Sequence, residues 1–146
     1  MNGPLQLAFF AVKLLSLRAL MAPETPELKS NSTSCLCYHY PSALVEGESF
    51  VNLMAQLSST TLRNFWPRHS RTNLIISTNF VIYLFFCGST EEQVAKAYDL
   101  LQKHQGALRE MVKISDWATI GLVRPSLLRT ESFFHGAVKG IRLAEK

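Results

Sequence analysis

The chain has 146 residues, 47 % of them apolar and 18 % charged, with fifteen Lys and Arg against eleven Asp and Glu for a net charge of +4. That length suits one domain, and that balance excludes a disordered chain and allows a substantial core. The small basic excess suits an anionic partner, but plain solubility explains it equally well. Three cysteines without regular spacing, Cys35, Cys37 and Cys87, do not make a disulfide framework. They point to a reducing, intracellular compartment.

Residues 1–22 contain no acid, and Leu5 to Val12 is almost wholly apolar. Lys13 and Arg18 interrupt the hydrophobic stretch. They argue against a spanning helix, which needs about 20 predominantly apolar residues, and against a secretory signal, whose basic residues come first. No transmembrane span is therefore expected. On a helical wheel Asn2, Gln6, Lys13 and Ser16 oppose most of the leucines and phenylalanines, with Arg18 as the exception. Such a helix packs on the domain or on a partner. Mitochondrial targeting is the next expectation, and a nuclear or cytoplasmic place stays open. Pro23, Pro26 and the polar stretch Lys29–Ser34 form a linker. Residues 1–34 thus read as an apolar N-terminal helix with a Pro/Ser-rich linker, and 35–146 as a single α+β domain.

Cys35–Tyr40 is rich in β-formers and stops at Pro41, which predicts a first strand. Glu48–Asn64 places Phe50, Val51, Met54 and Leu57 at helical spacing, with Ser49 as N-cap and Pro67 as the stop. Asn73–Cys87 is β-branched and aromatic, and the polar trio Ser77-Thr78-Asn79 divides it into a hairpin of two strands. Ser89-Thr90-Glu91-Glu92 has capping-box spacing. After it Val94, Tyr98, Leu101, Leu108, Met111 and Val112 make the stripe of an amphipathic helix, which Gly106 ends or bends. Trp117–Val123 reads as a last strand stopped by Pro125, and 130–146 as a loosely helical tail. The order predicts a ferredoxin-like βαββαβ fold, a four-stranded antiparallel sheet with helices on one face.

Phe80–Phe86 is apolar at every position, whereas a half-solvated strand alternates. The open sheet face then needs a cover: a terminal helix of this chain, a second copy, another protein, or a nucleic acid. Phe80, Ile82, Tyr83, Leu84 and Phe85 are the expected partner-binding residues. The function this implies is a non-catalytic protein-interaction module, a subunit or adaptor of a homo- or hetero-oligomeric complex. The alternative is nucleic-acid binding, in which Arg68 and Arg71 hold phosphates, Trp66 stacks, and Tyr38, Tyr40, Tyr83 and Phe85 supply further stacking. The Lys/Arg-Gly-Phe/Tyr signature of an RNA-recognition strand is missing from Asn79–Cys87.

Cys35, Cys37 and His39 would share one strand face, but their spacing is not that of a zinc knuckle and no second pair follows. Core packing is the preferred reading, so no metal site is expected. His39, His69, His104 and His135 are scattered, and no nucleophile motif or phosphate loop appears. No catalytic residue and no cofactor is assigned.

Overall fold

The computed structural model describes residues 2–21, 34–57, 66–113 and 117–144, and these form five α-helices with no strand among them. Helix α1 spans Gly3–Met21, α2 Cys35–Gln56, α3 His69–Cys87, α4 Glu91–Lys113 and α5 Trp117–Ala144. Capping explains where three of them begin. The Asn2 Oδ1 accepts the Leu5 N–H at 3.1 Å, and Pro4 sits in the first turn, where its missing N–H costs nothing. Ser34 Oγ accepts the Cys37 N–H at 3.2 Å. Ahead of α4, Thr90 Oγ1 accepts from Gln93 N while Gln93 Oε1 accepts from Ser89 N, a capping box shifted one residue from the expected one.

Helix α3 is the axis of the bundle. It touches all four other helices, and α1 pairs with α2, α2 with α4, and α4 with α5. The outer helices thus form an arc around α3. Helices α1 and α5 barely meet, which leaves one long side of α3 uncovered between them. The composition of α3 fits this place, because a helix apolar over most of its surface belongs largely in the interior. Its Leu74, Phe80, Val81 and Leu84 join Leu7, Leu14, Tyr40, Phe50, Leu101 and Leu108 in one continuous core. Helix α2 passes close to α3 at Gly47, where a Cβ would come within 2.8 Å of Leu84 Cδ1.

The α+β, ferredoxin-like expectation is therefore corrected: the described chain is all-helical, without a sheet. The predicted first strand, Cys35–Tyr40, is the first part of α2, and Pro41 lies inside that helix. Ser49 lies in the same helix and donates its hydroxyl to the Val45 carbonyl at 3.1 Å, as an interior serine does. Both hairpin strands are α3. The trio expected to turn the chain is instead satisfied along the helix. Ser77 Oγ donates to the Asn73 carbonyl at 3.0 Å, Thr78 Oγ1 lies 2.9 Å from His104 Nε2, and Asn79 Oδ1 accepts from Arg129 Nη1 at 3.2 Å. Once those groups are bonded, nothing forces a turn. Intrinsic β-preference spans only about 1 kcal/mol per residue, and burial against four helices outweighs it. The last strand is likewise the start of α5, which runs through Pro125.

Candidate interaction surface

The uncovered side of α3 carries the first surface. A helix turns about 100° per residue, so Ile75, Asn79, Ile82 and Phe86 share one stripe. Phe86 is 58 % exposed, and Leu128 across the groove on α5 is 52 % exposed. Asn79, Ile82, Leu128, Arg129, Ser132 and Phe133 line a groove of about 640 Å³. At its end stands a cluster of rings from three helices. Phe133 meets Phe85 at 5.2 Å and Phe86 at 5.7 Å between centroids, and Tyr98 meets Phe85 and Phe134. Most of these pairs are edge-on, a geometry worth roughly 0.5–1.5 kcal/mol each beyond burial.

The structure separates the residues singled out from the sequence. Phe80 and Leu84 belong to the sealed core, Ile82 lines the groove, and Phe85 sits within the aromatic cluster. Tyr83 turns toward α1, where the Arg18 guanidinium lies 5.0 Å over its ring. Its hydroxyl is buried, which pushes its pKa above the ordinary tyrosine value; Cys87 adds to that shift and Arg18 opposes it. The need for a cover over Phe80–Phe86 is met largely within the chain, by the packing of α1, α2, α4 and α5. Phe86, Leu128 and Phe133 were not singled out. A helical period applied to Ile75–Phe86 finds the first of them.

Of the alternative set, Arg68 and Arg71 are exposed at the start of α3, while Trp66 packs against the core cluster. Tyr40 is buried with its hydroxyl donating to the Leu84 carbonyl at 2.7 Å, and burial, then Cys87, pushes its pKa up to about 12. Tyr38 stands on α2, away from the start of α3, and among the described residues there is no sheet to gather these rings. Cys35 and His39 lie on one side of α2 with Cys37 on the other, since two residues turn a helix by about 200°. Among the described residues no group of three His, Cys, Asp or Glu side chains is placed to hold a metal ion.

A second surface lies on α1. Leu7, Ala11, Leu14 and Met21 pack into the bundle, while Leu5, Phe9, Val12, Leu15 and Leu20 are each more than half exposed. By length and composition α1 is long and apolar enough to cross a membrane, with 22 % of that span buried in the bundle.

The fold and its surfaces define the class: an all-helical bundle with a closed core and two bare apolar faces. No family model matches the chain, and no curated protein or solved structure matches it.

Proposed function

We propose that this chain is a non-catalytic protein-interaction module, a subunit or adaptor that docks through the α3–α5 surface. The observation that carries the reading is the pair Phe86 and Leu128, both more than half exposed over a groove floored by Ile82 and Phe133. Burying a side chain of this size is worth roughly 1.5–3 kcal/mol, so leaving both in water is a cost that a partner removes. The rim supports a protein as the occupant. Aromatic residues and arginine are the types enriched at interfaces, and Arg129 and Asn79 offer hydrogen-bonding groups beside the apolar floor. Nucleic-acid binding draws less support, because Trp66 is engaged with the core and the proposed stacking rings are dispersed.

Sedimentation velocity of the full chain, with binding of a hydrophobic dye measured alongside, tests the proposal. Self-association or dye binding is expected, and Phe86→Glu with Leu128→Glu abolishes the self-association and lowers the dye signal to what the α1 face contributes, while circular dichroism stays helical. A monomer that binds no dye contradicts the proposal.

A further inference from the structure

We propose that α1 lies flat on an anionic membrane surface, its outer face among the lipid chains and the segment 66–71 among the headgroups. Four observations converge. The outer face is apolar from Leu5 through Phe9, Val12 and Leu15 to Leu20, and its one polar side chain, Ser16, bonds the Val12 carbonyl of its own helix at 2.8 Å. Nothing on that face asks for water.

The two cations of α1 flank the outer face rather than lie on it, and Lys13 also sits 5.5 Å over the Phe9 ring at its edge. Lys13 Nζ lies 2.9 Å from Glu46 on α2, and Arg18 stacks on Tyr83 of α3. The helix therefore presents an uncharged face, which lipid chains accept and which an aqueous surface has no use for.

The basic segment sits at the edge of this face. Pro67 and His69 share a groove of about 330 Å³ with Leu5 and Ala8, so Arg68 and Arg71 flank the N-terminal end of the stripe. Both are exposed, and neither pairs with a described carboxylate. Charge is segregated to match. Neither α1 nor α3 contains an acid, while the described carboxylates lie on α2, α4 and α5. An apolar stripe bordered by arginine is complementary to anionic headgroups over acyl chains. This surface is separate from the one on α3 and α5, and the inference stands or falls without it.

Flotation of the full chain with phosphatidylcholine vesicles, with and without phosphatidylserine, is the test. Binding is expected to the phosphatidylserine vesicles. Phe9→Glu with Val12→Glu abolishes it, and Arg68→Ala with Arg71→Ala weakens it by roughly fivefold per arginine. Both double variants are expected to keep their helices by circular dichroism, since all four side chains are on the surface. Three results overturn the inference. One is no binding to either vesicle, and another is binding indifferent to Phe9→Glu with Val12→Glu. The third is resistance to alkaline carbonate extraction, which means α1 crosses the bilayer.

Discussion

Thr78 Oγ1 lies 2.9 Å from Nε2 of His104, and both residues are fully shielded from solvent. The pair ties the axial helix α3 to α4, with the His104 ring 5.2 Å from that of Phe50 on α2. Its other nitrogen, Nδ1, is buried without a hydrogen-bond partner. A charged imidazolium has no place there, and burial pushes the His104 pKa down to about 4.

Acid should therefore loosen the bundle through this one residue. The folded state holds His104 neutral down to about pH 4, whereas an unfolded chain protonates it near the usual value of about 6.5. The unfolded state thus binds the extra proton between those values. Stability is full above about pH 6.5 and falls by up to about 3 kcal/mol as pH drops to about 4. Urea unfolding across that range shows the loss in the natural chain and a much flatter profile in His104→Phe.

Removing the hydroxyl tests the same contact from the other side. Thr78→Val keeps the shape but strips His104 of its buried partner, with an expected cost of about 1–3 kcal/mol at neutral pH. Denaturant midpoints measure it.

Gly47 should behave opposite to the other helical glycines. A Cβ there meets Leu84 Cδ1 at 2.8 Å, and Leu84 is sealed in the core, so its side chain must repack against its neighbours to make room. Gly47→Ala is expected to destabilise by about 1–3 kcal/mol even though alanine favours helix. In a Leu84→Ala background the same change becomes stabilising. Gly106→Ala meets nothing within 4 Å and should stabilise by up to about 1 kcal/mol.

The start of α4 depends on its cap. Thr90→Ala leaves the Gln93 N–H without its side-chain acceptor, and should cost about 0.5–2 kcal/mol. Thermal unfolding by circular dichroism reads the shift.

What the sequence discloses follows from how each helix is buried. Helix α4 is wet on one side, so its apolar residues recur at helical spacing and the prediction finds its start, although the helix runs through Gly106, the expected end or bend, to Lys113. Helix α3 is packed by four neighbours over most of its surface, so its helical period is weak. Its Ile, Val, Phe and Tyr residues then look like strand, and only the partners of Ser77, Thr78 and Asn79 reveal why no turn forms there. Pro41 and Pro125 mark ends by the usual rule, yet both lie inside helices that tertiary packing carries through. The candidate surface was half visible for the same reason. Ile82, Phe85 and Phe86 all lie in the all-apolar run, and a helical period singles out Phe86, but Leu128 emerges only once α3 and α5 are side by side.

Photo-crosslinking from the surface of α5 tests the proposed role most directly. A benzophenone side chain placed at Leu128, with Glu110 on α4 as the exposed control, is irradiated in the full chain in cells. A discrete protein adduct should form from position 128, whether with a second copy or another protein, and disappear with Phe86→Glu. Equal labelling from positions 128 and 110, or adducts indifferent to Phe86→Glu, contradicts the account.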